Sequence, residues 1–399
     1  MSTELHAWAN GRHVAVFHSS DEGHVDLEYD ADAPQYPLSI SLPRDGGWKD
    51  EAPAAFLDNL LPDEPSARDV MTDSLHAKST STFDLLDGVD ATGGLVFSQS
   101  DVNPFTTQPL YSPMDESDIV ERIRQIRRYG AAWWSNDPHC RYSLAGHQGK
   151  FTATRLGGQW FWPNASVPST HIFKPEPANS PHAADNELAM MNLAELCGLN
   201  VPKRANIIFH DAAQDERSYV VARFDRIVAD GRIMRLRCED MLQSMGLGPA
   251  VKYDPQAKDC LKLLNTVDAS HELAYQWIER LAFNAHTGNC DAHAKNYSLM
   301  RGETVTLAPV YDVVCTRFWP RYDQEMAMSI GGERFAENVT PAHWEHLALD
   351  NSLDTDRVAA IVNRISKAIY AHMDEAVQGI PVNVADRLRE QWEKANRNL

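Results

Sequence analysis

Two carboxylates and one amide stand close together in the second half of the chain. Asp291 and Asn296 are five residues apart in HTGNCDAHAKNYS (286–298), and Asp312 follows in LAPVYDVV (307–314). A carboxylate that meets a substrate hydroxyl, beside an amide and a second carboxylate that coordinate Mg²⁺ at phosphate oxygens, is a side-chain set suited to phosphoryl transfer. The pattern therefore predicts Asp291 as a catalytic base and Asn296 and Asp312 as magnesium ligands.

The spacing of these residues is that of protein kinases, in which D-x-x-x-x-N holds the base and a metal ligand. Kinases place their second metal-binding aspartate after a hairpin, and Asp312 follows a short predicted strand 21 residues after Asp291. Taken alone, D-x-x-x-x-N is also explained by a polar loop with a helix cap. The segment departs from the D-F-G pattern because Val313 and Val314 follow Asp312.

Two further features have the kinase order along the chain. Lys174 ends the predicted strand STHIFK, and Glu187 follows 13 residues later on a predicted helix, as a phosphate-binding lysine and its paired carboxylate would. Upstream, SLAGHQGK (143–150) places a glycine-containing loop between two predicted strands, where backbone N–H groups can meet phosphates. A surface lysine, a surface glutamate and an ordinary hairpin remain the alternatives when each feature is taken separately.

The elements that must position these residues change character near residue 255. Before it, short alternating or β-branched segments predict strands, among them 13–17, 24–29 and 37–42. One helix is embedded there, with Ser180 as N-cap, Pro181 in its first turn and Gly198 at its end. After it, amphipathic periodicity predicts helices over 272–285, 357–373 and 384–397. A β-rich part before a helical part predicts an α+β fold.

Composition limits the partners and the compartment. The formal net charge of −19 argues against extensive direct binding of nucleic acid. The basic run ERIRQIRR (121–128) is interpreted as a solvated helix face. The six cysteines are scattered, which favours reduced thiols. With no signal-like N-terminus and no apolar stretch of 18 residues, the expected location is the cytoplasm, with no membrane partner.

Beyond spacing, the chain resembles the HipA family of bacterial toxin kinases along nearly its whole length. The motifs that carry this resemblance are FLDNLLPD (56–63), SLAGHQGK (143–150), THIFKP (170–175), DNE (185–187), ARFDR (222–226), CEDM (238–241), GNCDAHAKNYS (288–298) and LAPVYDVV (307–314). The loop departs from the family pattern, which has a small residue where this chain has His147 and a glutamate where it has Gly149.

The resemblance implies a two-lobed protein-kinase-like α+β fold with an extra N-terminal β-rich subdomain. The implied divisions are 1–110 for that subdomain, 117–242 for the kinase N-lobe and 243–399 for the helical C-lobe. It also implies ATP and Mg²⁺ as cofactors, Asp291, Asn296, Asp312 and Lys174 as catalytic residues, and Ser143 as a site of autophosphorylation that drives the loop out of the ATP pocket. The nucleotide contacts it implies are Ala145, Gly146, His147, Gln148, Gly149, Lys150, Lys174, Glu239, Asp240, Met241, His293, Asn296, Tyr311 and Asp312.

The biological role follows from the same resemblance. It implies the toxin of a type II toxin–antitoxin system, a serine/threonine protein kinase that phosphorylates an aminoacyl-tRNA synthetase, with glutamate–tRNA ligase as the first expectation, and so inhibits translation and induces dormancy. It further implies a small helix-turn-helix antitoxin of the HipB type, with operator DNA bound only through that complex, in which this chain is the corepressor. The acidity of the chain is consistent with leaving the DNA contact to the partner.

Three alternatives remain. A small-molecule phosphotransferase of the aminoglycoside-kinase type shares the base, the asparagine and the later aspartate, although the N-terminal unit and FLDNLLPD speak against it. A non-catalytic antitoxin-binding corepressor is disfavoured because all four catalytic side chains are present. A metalloenzyme built on His286 and His293 is disfavoured because no third ligand stands near them.

Overall fold

The computed structural model of the chain describes residues 3–105, 108–209 and 216–397. The chain forms two compact units, each assembled from separate segments. Unit 1 comprises Met1–Asn179, Arg204–Ala250 and Met300–Thr304, and unit 2 comprises Ser180–Lys203, Val251–Leu299 and Val305–Leu399. The predicted divisions near residues 110 and 242 stay predictions.

Unit 1 begins with a four-stranded antiparallel sheet in the order β3-β2-β1-β4. Its strands are β1 (Thr3–Ala9), β2 (Arg12–Ser19), β3 (Val25–Tyr29) and β4 (Val96–Ser98). Alternation places Leu5, Ala7, Ala15 and Phe17 in the core. The helices α1 (Ala52–Asp58), α2 (Pro65–Leu75) and α3 (Thr82–Leu86) follow, and the Phe56 ring stacks on Phe17 at 6.1 Å.

A second antiparallel sheet in unit 1 has the order β5-β7-β6-β8-β10-β9. Its elements in chain order are β5 (Pro113–Met114), α4 (Glu116–Tyr129), β6 (Phe151–Leu156), β7 (Gln159–Phe161), β8 (His171–Pro175), β9 (Arg204–Phe209) and β10 (Glu216–Ala222). Helix α4 packs on β8 and β10 through its buried isoleucines. Unit 1 also contains the hairpin β11 (Arg226–Ala229) and β12 (Arg232–Arg235), the strand β13 (Cys238–Asp240) and the helix α6 (Met241–Ser244).

Unit 2 is mostly helical. Its helices are α5 (Ala183–Leu196), α7 (Ala257–Val267), α8 (Glu272–His286), α9 (Pro341–Asp350), α10 (Thr355–Ala376) and α11 (Val382–Ala395). The long helix α10 packs against α5, α8 and α9. The short strands β14 (Ser298–Met300) and β15 (Thr306–Leu307) follow α8 and lead to the segment that holds Asp312. The predicted helical second half is therefore confirmed.

Two local predictions were wrong. Residues 37–42 form only an isolated bridge between Ser39 and Leu42, because the Tyr29 hydroxyl accepts a hydrogen bond from the Leu38 N–H and donates one to the Leu42 carbonyl. Helix α5 begins at Ala183, with His182 at the N-cap in a left-handed conformation, rather than with Ser180 as its cap. The Ser180 hydroxyl is instead hydrogen-bonded to the Tyr322 hydroxyl.

The six cysteines are all buried and free, as their scattered spacing predicts. Within the described parts of the chain, no helix is both long enough and apolar enough to cross a membrane.

Candidate active site

The loop that carries Asp291 is supported by two buried asparagines. Asn284, on the last turn of α8, accepts a hydrogen bond at its amide oxygen from Asn289 Nδ2 (3.0 Å) and donates to the Tyr297 hydroxyl (2.9 Å). The amide oxygen of Asn289 in turn accepts from the backbone N–H of Asp291 (3.2 Å). This relay fixes the backbone of the loop to the helix that precedes it.

The carboxylate of Asp291 is exposed and accepts a hydrogen bond from a residue that was not predicted as part of the site. Tyr253 donates its hydroxyl to Asp291 Oδ1 at 2.7 Å, and its ring meets the His293 ring edge-on at 5.0 Å. A donor to one carboxylate oxygen restricts the orientation of the other. Tyr253 lies 38 residues before Asp291 in the chain, so no spacing rule connects the two.

The D-x-x-x-x-N segment forms a turn with hydrogen bonds between its own residues. The carbonyl oxygen of Asp291 accepts hydrogen bonds from Asn296 Nδ2 (2.9 Å) and from the His293 N–H (2.8 Å). The Asn296 side chain is therefore anchored through its nitrogen, while its oxygen is the atom with the chemistry of a Mg²⁺ ligand. The five-residue spacing thus brings Asp291 and Asn296 together in one turn.

Asp312 lies at a special backbone position beside the same loop. Its φ is +56°, a left-handed conformation that aspartate adopts more readily than most side chains do. Asp312 and Asn296 line one small pocket, together with Asn284, Asn289 and Tyr311. The carboxylate of Asp312 and the amide of Asn296 supply oxygens of the hard type that Mg²⁺ prefers.

Tyr311, predicted to contact the nucleotide, also holds the loop. Its hydroxyl donates to the Lys295 carbonyl (2.7 Å) and is hydrogen-bonded to the Ser298 hydroxyl (2.7 Å).

His286, which was weighed as a metal ligand and disfavoured, lies in the core. His286 is buried at the end of α8, and burial lowers its pKa to about 3, so it is a neutral core residue.

The strand lysine and its predicted partner belong to different units. Lys174 lies on β8 opposite Tyr219 of β10, and its side chain is buried. Glu187, the predicted partner of Lys174, is buried on α5 in unit 2, and their pairing stays a prediction.

The predicted phosphate loop, residues 143–150, is docked on the FLDNLLPD segment. The Gly146 carbonyl accepts from the Asp63 N–H (3.1 Å), and His147 Nδ1 lies 2.6 Å from Glu64 Oε1. Lys150 donates to the Ala145 carbonyl (3.0 Å) and lies over the Trp133 ring at 5.1 Å. The loop 143–150 and the FLDNLLPD segment therefore pack against each other.

Packing explains why position 149 is a glycine rather than the glutamate of the family pattern. A Cβ atom at Gly149 would lie 2.6 Å from Ile126 Cγ2 on α4 and 2.8 Å from the Gly130 carbonyl oxygen. No side chain fits there while the loop keeps this conformation. The other departure, His147, meets Glu64 at the exposed side of the loop.

Ser143, the predicted autophosphorylation site, is completely buried. Its hydroxyl donates to the Leu60 carbonyl at 2.7 Å, and its N–H donates to the Asp90 carbonyl at 3.0 Å. A hydroxyl in this position has no access to a phosphate donor. Phosphorylation would therefore require the loop to leave its docked position.

The side chains of Glu239 and Asp240 are used inside unit 1. Glu239 is buried, accepts from the Ile40 N–H (3.1 Å) and pairs with Arg301 (3.0 Å); burial raises its pKa, while Arg301 opposes the shift. Asp240 caps α6 through the Gln243 N–H, and Met241 is buried in that helix. Nucleotide contacts from this segment would have to come mainly from its backbone.

The ARFDR motif forms a buried ionic network. Asp90 lies 2.7 Å from Arg235, 3.0 Å from Arg226 and 3.7 Å from Arg223, and the pairs have almost no exposure. Burial alone would raise the pKa of Asp90, but the three guanidinium groups outweigh it and hold that pKa well below its usual range. The motif therefore joins strands of unit 1 rather than meeting a substrate.

The basic run on α4 is largely used by the fold. Arg124 and Arg127 both pair with Glu216 of β10, which has no exposure, at 3.1 and 2.8 Å. Arg122 donates to the Trp134 carbonyl. The predicted solvated face is thus in part a docking face of the helix.

A β-rich unit with a buried strand lysine and a mostly helical unit with a D-x-x-x-x-N loop and a later aspartate define the class: an α+β protein with a kinase-like fold. The chain belongs to the HipA family. The HipA N-terminal domain matches residues 5–97, and the HipA-like C-terminal domain matches residues 142–373.

Individual relatives agree with this assignment. The chain is 30% identical to the serine/threonine-protein kinase toxin HipA of Shewanella oneidensis, over 84% of this chain and 80% of that protein. It is 30% identical to the protein Y4mE of Sinorhizobium fredii, over 93% of this chain and 92% of that one. The solved structure of Shewanella oneidensis HipA with HipB and operator DNA matches the fold with a TM-score of 0.82 and 23% identity, over 99% and 96% of the two chains. The predicted family and fold class are confirmed.

Proposed function

We propose that this chain is an ATP-dependent serine/threonine protein kinase and the toxin of a type II toxin–antitoxin system. The observation that carries the proposal is the loop of unit 2, in which the Asn296 side chain binds the Asp291 backbone while Asp312 lines the same pocket as Asn296. Catalysis by such a set is mainly positioning and electrostatic stabilisation.

The residues of unit 2 have roles that their own surroundings support. Asp291 orients and deprotonates the substrate hydroxyl, and Tyr253 fixes the rotation of its carboxylate. Asn296 and Asp312 supply the oxygens that would hold Mg²⁺, which neutralises phosphate charge when bound. For Lys174 and the loop 143–150, the roles of holding and covering the phosphates are carried over from the family resemblance alone.

The partners are proposed from the relatives. The HipA chain of the solved structure is assembled with HipB and operator DNA, and the net charge of −19 agrees with a protein that reaches DNA through such a partner. We propose a HipB-type antitoxin as partner, corepression as a second role, and the cytoplasm as location. The proposed substrate is an aminoacyl-tRNA synthetase, with glutamate–tRNA ligase tested first.

The first experiment is mass spectrometry of the purified chain after incubation with Mg²⁺ and ATP. The expected result is one added phosphate at Ser143 in the wild type and none in Asp291→Ala. Asp254→Ala is the matched control, because Asp254 is exposed in the same unit and outside the pocket, and it should keep the phosphate. The starting material is checked for prior phosphorylation of Ser143.

Two other results would redirect the proposal. A chain that adds no phosphate to itself but phosphorylates a small-molecule alcohol would be a small-molecule phosphotransferase. A chain that shows neither activity, and no ATP hydrolysis above Asp291→Ala, would be a silent corepressor. Phosphate transferred to purified glutamate–tRNA ligase by wild type and not by Asp312→Ala would identify the substrate.

A further inference from the structure

Three potential metal ligands converge on the first sheet of unit 1, and none of them belongs to the proposed kinase site. His6 lies on β1, His13 on β2 and Asp101 just beyond β4. His6 Nδ1 lies 3.1 Å from His13 Nε2 and 3.8 Å from Asp101 Oδ1, and the three ligand atoms lie within 4.8 Å of one another. Among the described residues, this is the one group of three histidine, cysteine or acidic side chains close enough to share an ion.

An irregularity in the sheet creates this convergence. In β1 and β2 the register pairs His6 with Val16, and it shifts between Ala7 and Trp8 so that Trp8 stands opposite His13. Such a bulge re-aims side chains. The Trp8 ring supports the His13 ring edge-on at 4.8 Å, and His6 is only 7% exposed. The two imidazoles are therefore held in place before any ligand binds.

Each imidazole also has a carboxylate near its other nitrogen. His13 Nδ1 lies 2.9 Å from Asp30 Oδ2, and His6 Nε2 lies 3.7 Å from Glu4 Oε2. The hydrogen bond to Asp30 places a proton on His13 Nδ1, so the lone pair of His13 is on Nε2, the atom that faces His6. A carboxylate behind the ligating imidazole is the usual second layer of a metal site.

We propose that His6 Nδ1, His13 Nε2 and an Asp101 oxygen form a binding site for a divalent transition-metal ion of the zinc class. Two nitrogens at about 2.0–2.1 Å from a tetrahedral Zn²⁺ are roughly 3.3 Å apart, close to the 3.1 Å between these atoms. Imidazole with one carboxylate suits Zn²⁺, whereas the oxygen donors Asn296 and Asp312 suit Mg²⁺. Water takes the fourth position.

The ion would have a structural role. Asp101 follows β4 and is exposed, so its coordination would tie the chain after that strand to β1 and β2. The competing explanation is a simple hydrogen bond from His6 Nδ1–H to His13 Nε2, with Asp101 uninvolved. The two explanations differ in what they predict for Asp101.

The test is titration of the metal-free, tag-free chain with Zn²⁺ by calorimetry, together with the visible absorption of the Co²⁺ form. One equivalent should bind, and the Co²⁺ form should show the bands of a tetrahedral site. Asp101→Ala should weaken Zn²⁺ binding at least tenfold, and His13→Ala should abolish it. Since Asp101 is exposed, its substitution does not endanger folding even if that of His13 does.

Two controls separate this site from other metal binding. His346→Ala removes a histidine that also lies near an aspartate, 3.4 Å from Asp350, but has no further ligand in the described chain, and it should bind Zn²⁺ as the wild type does. Asp312→Ala should also bind one equivalent of Zn²⁺, which would show that the ion does not bind at the proposed magnesium site. Absence of stoichiometric binding, or binding that either Asp101→Ala or His13→Ala leaves unchanged, overturns the proposal.

Discussion

At the scale of single residues, the exposed carboxylate of Asp291 depends on one phenol for its orientation. Tyr253→Phe removes only the hydroxyl that donates to Oδ1 at 2.7 Å. Hydrogen bonds to charged groups contribute about 1.5–3 kcal/mol, so we expect kcat for phosphate transfer to fall at least about tenfold. The KM for ATP should change little, because Tyr253 is assigned no contact with the nucleotide. Initial rates at several ATP concentrations measure both.

The comparison for this variant is Tyr370→Phe, which removes a hydroxyl from an exposed tyrosine on α10 of the same unit. It should behave as the wild type. Equal kcat values for Tyr253→Phe and Tyr370→Phe would show that the hydroxyl does not orient the base.

The same residues show what a sequence can and cannot disclose at this scale. Asp291 and Asn296 were predictable as a pair because both lie in one turn, where spacing along the chain fixes proximity. Tyr253 and Asn284 were not, because each reaches the loop through the packing of a preceding segment. The catalytic roles of all four residues, Asp291, Asn296, Asp312 and Lys174, stay predictions.

At the scale of elements, the loop 143–150 can pack against α4 because residue 149 is a glycine. In Gly149→Ala the new Cβ would lie 2.6 Å from Ile126 Cγ2 and 2.8 Å from the Gly130 carbonyl oxygen, so the loop must separate from α4. Overpacking of this kind costs about 1–3 kcal/mol, and we expect the loop to become sensitive to proteolysis. Limited proteolysis with mass mapping of the cleavage sites would detect the change.

The matched variant is Gly248→Ala in the same unit, where an added Cβ meets nothing within 4 Å. It should leave the cleavage pattern unaltered. If Gly149→Ala is as resistant as Gly248→Ala, the loop is not held by its contact with α4.

Element boundaries were predictable where the local pattern alone decides them. Periodicity predicts a helix over 272–285, and α8 extends from Glu272 to His286. Residues 37–42 failed because the Tyr29 hydroxyl, eight or more residues away, binds the backbone groups that a strand would need. The start of α5 failed because Ser180 contacts Tyr322 instead of capping the helix.

At the scale of the whole molecule, the order of elements predicted the fold class, whereas the compact units could not be read from a linear pass. Residues 300–304 belong to unit 1 although unit 2 surrounds them in the chain, and Arg301 contributes the ion pair to Glu239 there. Contacts of this kind join residues that are far apart in the chain, so neither composition nor periodicity predicts them.

Acid should weaken both units through two neutral histidines, of which His171 is half-buried and His286 is buried. Burial, assisted by Arg155, lowers the pKa of His171 in unit 1 to about 4, and burial lowers that of His286 in unit 2 to about 3. In the unfolded chain both histidines have a pKa of about 6.5, so below that pH the unfolded state binds protons that the folded state does not. The stability that these two neutral histidines contribute is therefore complete above about pH 6.5 and is lost as the pH falls towards 4.

The net charge of −19 acts in the opposite direction, because its repulsion weakens as carboxylates gain protons, so one variant must be compared with another. We expect the free energy of unfolding to fall between pH 7 and pH 5 by about 2 kcal/mol less in His171→Gln than in the wild type. His372→Gln, at a half-buried histidine 3.5 Å from Glu375, should follow the wild type. Urea denaturation at the two pH values measures the difference. Equal falls in all three proteins would show that His171 is protonated in the folded state.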